Sequence, residues 1–344
     1  MIENQQETQQ TNRTGRRGFL KILGAGLAGA VVGTGATGRV MGGWYDSQIS
    51  SPNPLLASQP LPPSTITTTN GVKIHHLNAG FVAVKKAHRS FDGQDGMGIP
   101  AIAVDPFWTE WMPITSWVIE HPEGVIVVDT GESLRAITDE NYFNCDPGTQ
   151  FFYSSFLRFV VRPEEEVTAQ LTALGINPSD VRWVIQTHLH SDHMGGLSKF
   201  DQSEMILSNI DYPSSVGTLA CHYEPWMSPT FSTFDGEELA GLGRAMPITQ
   251  AGDVMVVQTP GHTEGHQSVI YRETDRTFFF AGDTSFSETQ MLEQGVAGIA
   301  MQPSGMRQTL ANIRTYAESH PTVYLPSHDP DLRTRLQNQQ TVSL

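Results

Sequence analysis

Apolar and polar positions alternate from residue 72 to residue 84, the period of a half-buried strand, and the run is long enough for two strands. The same pattern returns in Trp117-Val118-Ile119-Glu120 and over residues 125–128. The two stretches flank His121-Pro122-Glu123-Gly124, which predicts a hairpin. At Val167, Leu171 and Leu174 the spacing becomes helical, with Pro163 suited to a first turn and Gly175 to a stop. Residues 182–186, 254–257, 277–281 and 322–325 are short apolar runs that read as strands. Between the last two, Leu310, Ile313 and Ala317 share one face of a helix expected over 306–319. Strands, then helix, then strand, twice over, fit an α/β sandwich of two facing sheets with helices outside.

Other stretches lack such a period. Residues 50–70 are crowded with Pro, Ser and Thr, Pro52, Pro54, Pro60, Pro62 and Pro63 among them, and are expected to form an extended linker or wrapped arm. The segment 133–161 is long for a connection and holds Tyr142, Phe143, Phe151, Phe152, Tyr153, Phe156 and Phe159. A second aromatic group, Tyr212, Tyr223, Trp226, Phe231 and Phe234, follows later in the chain. Most of these rings are expected in core packing or in the contact of a homodimer, and some as walls of an apolar channel. Trp108, Trp111 and Met112 are further wall candidates.

A chain of 344 residues with 38% hydrophobic and 17% charged side chains has the material for one large core. Its net charge is −15; the first 40 residues carry five basic and two acidic groups, which leaves −18 on the remainder. So acidic a body excludes nucleic acid as a partner, because phosphate binding needs clustered Lys and Arg. Cys145 and Cys221 sit in no close-spaced pattern and are expected as two unpaired thiols.

The N-terminus reads as an address. Gly15-Arg16-Arg17-Gly18-Phe19-Leu20-Lys21 resembles a twin-arginine export signal, followed by a Gly- and Ala-rich stretch over 22–32. That stretch falls well short of the roughly 20 apolar residues a spanning helix needs, so the mature chain is not expected to insert in a membrane. Residues 1–43 are expected to be the signal and cleavage region, and 44–71 the arm. A single catalytic domain is expected over 72–335 and a polar tail over 336–344. The twin-arginine machinery is the implied partner, and the periplasm or another extracytoplasmic space the implied location.

Chemistry concentrates in His188-Leu189-His190-Ser191-Asp192-His193, directly after the strand expected at 182–186. Imidazole nitrogen and carboxylate oxygen are ligands that zinc and its neighbours accept. Side chains two apart in extended chain share a face, so His188 and His190 can aim at one metal while Asp192 and His193 aim at a second. Further candidates each follow a strand: His262 in Thr259-Pro260-Gly261-His262-Thr263-Glu264-Gly265-His266, Asp283 after 277–281, and His328 after 322–325. Loops at strand ends are where scaffolds usually carry function. His75, His76, His88, His121, His222 and His320 have no such context and are assigned to the surface or the ordinary core.

Together with Asp129-Thr130-Gly131, these motifs resemble the metallo-β-lactamase superfamily over residues 72–329. Within it, the wording around His188 and His262 is most similar to the dinuclear N-acyl homoserine lactonases. The resemblance implies an αββα sandwich with His188, His190 and His262 on one divalent metal and Asp192, His193 and His328 on the other. Asp283 would bridge both. Zinc is the expected metal, with iron, cobalt and manganese compatible with the same donors. A carboxylate at 283 argues against a class B β-lactamase, and His190 against the flavodiiron branch. Asp129 and His266 are expected to orient ligands from behind. The implied reaction is attack on a lactone ester by a hydroxide held between the metals, with Asp192 passing a proton to the leaving oxygen. The alternatives are a related hydrolase of phosphotriesters or open-chain esters, and a metal-binding protein without turnover. One position departs from the lactonases: Phe286 stands where they carry a Tyr three residues after the bridging acid, and its ring cannot donate a hydrogen bond.

Overall fold

In the computed structural model, residue 49 and residues 60–344 are described; the twin-arginine motif and most of the expected arm lie outside them. The end of the arm forms an edge strand, β1 (Ser64–Thr67), antiparallel to β2 (Lys73–Val84). The pattern over 72–84 thus belongs to one strand rather than two. Its register shifts between Asn78 and Phe81, where Gly80 takes φ 112° against the Val160 carbonyl. A Cβ there would meet that oxygen at 2.7 Å, so the bend depends on glycine. The hairpin forms as expected from β3 (Met112–His121) and β4 (Gly124–Val128).

With β5 (Leu157–Val160), β6 (Val181–Ile185), β7 (Glu204–Leu207) and β8 (Thr230–Phe231), these make an eight-stranded mixed sheet, ordered β1-β2-β3-β4-β6-β7-β8 with β5 on β2. A short antiparallel pair, β9 (Glu238–Leu239) and β10 (Gly243–Arg244), follows. The second sheet runs β11 (Met246–Pro247), β12 (Val254–Gln258), β13 (Gln267–Arg272), β14 (Thr277–Gly282) and β15 (Thr322–Pro326), antiparallel except for the last pair.

Alternation sorts these residues into two layers of packing. Trp117, Ile119, Ile126 and Ile185 from the first sheet meet Val254, Val256, Phe278, Phe280 and Val323 from the second. The intervening positions point the other way: Val118 and Val127 lie in one cluster with Leu171, and Met255, Ile270 and Phe279 in the same cluster with Met306, Leu310 and Ile313. Fully burying one such side chain contributes about 1.5–3 kcal/mol. The result is two facing sheets with helices outside, an αββα sandwich.

Two helix details differ from expectation. Pro163 heads a separate three-residue turn, Pro163–Glu165, closed by Arg162 N–H donating to Glu165 Oε2 (2.7 Å), and the helix proper is Val167–Ala173. The later helix is Pro303–Ser319, and Tyr316 rather than Ala317 takes the last buried position, because Met306, Leu310, Ile313 and Tyr316 keep the helical period. A final helix, Leu332–Asn338, runs past residue 335 and buries Leu336, so the exposed tail is shorter than expected. Among the described residues no helix is long and apolar enough to cross a membrane.

The expectation for the cysteines fails. Cys145 and Cys221 form a disulfide with 5.3 Å between their Cα atoms. They are 76 residues apart, and only the fold brings Cys145, which precedes the helix Pro147–Phe156, against the turn Ala220–His222. Their spacing carried no trace of the pairing.

Candidate metal centre

All seven candidate ligands meet at one end of the sandwich. β6 leads into His188 and His190, and the one-turn helix Ser191–Met194 carries Asp192 and His193. The second sheet supplies His262 after β12, Asp283 after β14 and His328 after β15. β15 is parallel to β14, and β12 and β14 both flank antiparallel β13, so all three loops emerge at the same end.

Two donor groups form. His188 Nε2 and His262 Nε2 each lie 3.0 Å from His190 Nδ1. Asp192 Oδ2 lies 3.4 Å from His328 Nε2, with His193 Nε2 beside them at 4.0 Å from Asp192 Oδ1. Asp283 stands between the groups: Oδ1 is 3.3 Å from His193, and Oδ2 is 3.4 Å from His262 and 3.3 Å from His328.

The far side of each ring decides what its near side offers. Thr187 Oγ1 donates to Asp129 Oδ2 (2.8 Å), so its contact with His188 Nδ1 (3.1 Å) needs the ring to donate, which leaves Nε2 a lone pair. His190 Nε2 donates to the Val216 carbonyl (3.1 Å), leaving Nδ1 a lone pair. Two lone pairs facing at 3.0 Å repel unless a cation lies between them. Zinc–nitrogen bonds of about 2.0–2.1 Å put tetrahedral donors about 3.3 Å apart, close to this spacing. In the other group His193 Nδ1 donates to Asp129 Oδ2 (2.8 Å) and His328 Nδ1 to the Pro113 carbonyl (2.7 Å), so both Nε2 atoms turn inward and would offer lone pairs once a metal displaced their protons. His193 Nε2 and Asp283 Oδ1 are buried without a well-formed hydrogen bond. The residues present fit two divalent ions.

Charge divides along the same line. Burial, reinforced by neighbouring rings, holds His188 well below its ordinary pKa; burial does the same to His262 and lowers His190, so all three stay neutral, the metal-binding form. Burial also pulls on His193 and His328, but Asp283 and its fellow carboxylates outweigh it and raise both. Asp283 is driven well below the carboxylate range by His328 and His193 despite its burial.

Asp129 and His266 stand behind the donors. Asp129 adopts φ 59° at the end of β4, where Oδ1 accepts from Thr187 N–H (2.7 Å) and Oδ2 from the Thr187 hydroxyl and His193. His266 Nε2 accepts from Asp283 N–H (3.0 Å) and Nδ1 donates to Thr259 Oγ1 (2.9 Å); burial lowers its pKa to about 3. Gly282 allows this approach: at φ 57°, an added Cβ would sit 2.7 Å from His266 Nε2 and 2.8 Å from Thr187.

A cavity opens onto His190, Asp192, His262, Asp283 and His328. Val82, Val84, Phe152, Leu157, Phe286, Ile299 and Met301 wall it. Phe286 therefore belongs to the site, stacked on His328 with centroids 5.3 Å apart. Of the aromatic segment, Phe152 and Tyr153 reach the cavity; the Tyr153 hydroxyl donates to the Gly217 carbonyl (2.8 Å) and accepts from Ser191 N–H (3.2 Å). Tyr212, Tyr223 and Phe231 pack on one another instead, and Trp108 and Trp111 join a small cluster with Ala83 and Ile49. Met112 lines a neighbouring groove beside Phe286 and His328.

Sequence reasoning missed two groups. His88, on the single turn Lys86–Arg89, lines the cavity, and nothing in its local sequence marks it. Glu132 is buried behind Asp192, and burial lifts its pKa to about 8. Its place directly after Asp129-Thr130-Gly131 was the available signal.

Comparison with known proteins agrees with this geometry. The model of the metallo-beta-lactamase superfamily matches residues 109–208 and 247–328. The N-acyl homoserine lactonase AttM of Agrobacterium fabrum is 25% identical over 225 residues, covering 64% of this chain and 83% of that protein. An AiiA variant of B. thuringiensis with N-decanoyl-L-homoserine at its active site shares the fold, at TM-score 0.61 and 18% identity over 80% of this chain and 96% of its own. AidC, a dizinc quorum-quenching lactonase, is similar at TM-score 0.52 and 14% identity, over 78% and 91% of the two chains.

Proposed function

The chain belongs to the metallo-β-lactamase superfamily and is a metal-dependent hydrolase of ester bonds, and we propose that its substrate is the ring ester of a lactone, foremost an N-acyl homoserine lactone. The observation that carries this reading is Asp283 between two donor groups at the floor of an apolar cavity. In this proposal His188, His190 and His262 hold one divalent ion, Asp192, His193 and His328 the other, and Asp283 touches both; zinc suits the nitrogen-rich donors. Such a pair, when bound, supplies an acidified water and a Lewis acid for the carbonyl.

The chain's own groups do the rest. Asp192 lines the cavity, and its carboxylate would take the proton given up by the attacking water and pass it to the departing ring oxygen. Val82, Val84, Phe152 and Leu157 exclude water and offer an acyl chain an apolar wall. Asp129 and His266 keep His193 and the Asp283 backbone in place. The abundance of acidic groups suits a neutral substrate. We further propose that residues 1–43 direct the folded protein out of the cytoplasm, on the strength of the Arg16-Arg17 motif.

The test is a hydrolysis panel of lactones, phosphotriesters, open-chain esters and β-lactams with zinc-loaded protein. Lactones are expected to be turned over best, with loss of activity on chelation. Higher kcat/KM for a phosphotriester or an open-chain ester would replace the lactone assignment.

A further inference from the structure

His88 lines the cavity but is outside the ligand set. His88 is 6% exposed, and its Nδ1 is buried without a hydrogen-bond partner. The other polar side chains lining the cavity are engaged with one another, with backbone or with Asp146, although His262 Nδ1 is also buried without a partner. His190, His262, Asp192, Asp283 and His328 converge on one another, Tyr153 bonds Gly217 and Ser191, and Thr149 donates to Asp146 (2.8 Å). A buried, unpaired ring nitrogen is costly, and natural structures keep few of them without a use.

His88 lines the same cavity as His190, Asp192, His262, Asp283 and His328, and with Nδ1 buried it has only Nε2 to turn to a bound molecule. Its ring meets Phe286 edge-on, centroids 6.1 Å apart at 90°, and Phe286 in turn stacks on His328. Gln290 ties the two positions together: its Oε1 accepts from Phe286 N–H (2.6 Å) and its Nε2 donates to the Arg89 carbonyl (2.8 Å). The His88 carbonyl also accepts from Ile299 N–H (3.4 Å). Burial lowers the pKa of His88 to about 3, so the ring is neutral and carries one N–H to give. Phe286, which lines the cavity and stacks on His328, has no donor to give.

We propose that His88 donates a hydrogen bond to the carbonyl oxygen of the scissile ester, supplying from beside Phe286 the donor that Phe286 lacks. This assignment rests on the lactone reading above. A neutral imidazole held by a fixed backbone turn binds the oxygen more strongly as negative charge develops on it, so its contribution falls on kcat rather than on KM.

The experiment compares His88→Phe and His88→Gln with the wild type, each loaded with zinc, on an N-acyl homoserine lactone. Metal content by elemental analysis should match the wild type, because His88 holds no ion. His88→Phe is expected to lose about ten- to a hundredfold in kcat, with KM changed less than about threefold. His88→Gln, which keeps a donor, should recover part of that loss. Adding Phe286→Tyr to His88→Phe should restore kcat by about tenfold, because the new hydroxyl stands beside the lost donor. Unchanged kcat in His88→Phe overturns the assignment, as does a rise in KM alone, which would move the contact to the acyl tail. Loss of bound metal overturns it as well. A zinc-loaded wild type that turns over no lactone removes the lactone reading and this proposal with it; an active wild type beside an equally active His88→Phe removes this proposal alone.

Discussion

Asp129 holds three hydrogens at once, and two of the three bear on the donors: Thr187 sets His188, and His193 is bonded directly. Removing a partner of this kind typically costs ten- to a hundredfold in metal affinity. Asp129→Ala is therefore expected to weaken zinc binding by about that factor in a competition titration with a chromogenic chelator. Asp283→Ala should act more severely and reduce the metal content well below two ions per chain by elemental analysis; full retention of both would remove Asp283 from between them. Glu132 has its own signature. Its Oε1 accepts from Ser133 N–H (2.8 Å) and the Tyr142 hydroxyl (3.0 Å), and burial, aided by the charge of Asp192, keeps the acid protonated up to about pH 8. Unfolded, it ionises near its ordinary 4.5. A raised acid stabilises the fold fully below the unfolded value, and that stabilisation fades as pH rises towards the folded one. Glu132→Gln never ionises, so its Tm relative to wild type should climb between about pH 5 and pH 8. A constant difference across that range would show that Glu132 titrates alike folded and unfolded.

At the scale of elements, the disulfide ties the wall of the cavity together. Cys221 follows Val216 and Gly217, which touch His190 and Tyr153, and Cys145 precedes the helix that carries Phe152 and Tyr153. Closing a loop of this length stabilises a chain by about 2–4 kcal/mol, largely by restricting the unfolded state. The Cys145→Ser, Cys221→Ser double variant is expected to melt roughly 5–12 °C lower than the oxidised wild type. Equal melting temperatures would show that the link constrains nothing. The pair was illegible in the sequence because a covalent contact between distant segments leaves no periodic trace, whereas the strands did leave one. β3, β4, β6, β12, β14 and β15 were readable within a residue or two, except that β3 starts five residues before its expected Trp117, since each carries a short apolar run buried on both faces. The seven donors were readable because they sit in loops directly after those strands. His88 was not, because its place on the cavity wall depends on packing against Phe286, nearly 200 residues away in the chain. β2 was split wrongly because a register shift at Asn78 and Phe81 imitates the end of one strand and the start of another.

For the molecule as a whole, the ligand set is a property of the closed sandwich and of nothing smaller. Donors from residue 188 to residue 328 come from loops of both sheets, so no fragment of the chain presents either group complete. Metal uptake is consequently linked to folding. The disulfide adds a second condition, since it persists in an oxidising compartment and is reduced in the cytoplasm. The export proposed for residues 1–43 would meet both needs in sequence: the sandwich would close and load its ions inside, and the thiols would pair outside. Replacing Arg16 and Arg17 with Lys should then retain the precursor in the cytoplasm with about two metal ions, on the two-metal logic above, and with both thiols open to a maleimide label. The exported wild type should carry the same metal content, lack the leader by mass spectrometry, and take up no label until it is reduced. A wild-type chain that keeps its leader, stays in the cytoplasm and labels at both cysteines would show that residues 1–43 are not an export signal, while leaving the metal centre as described.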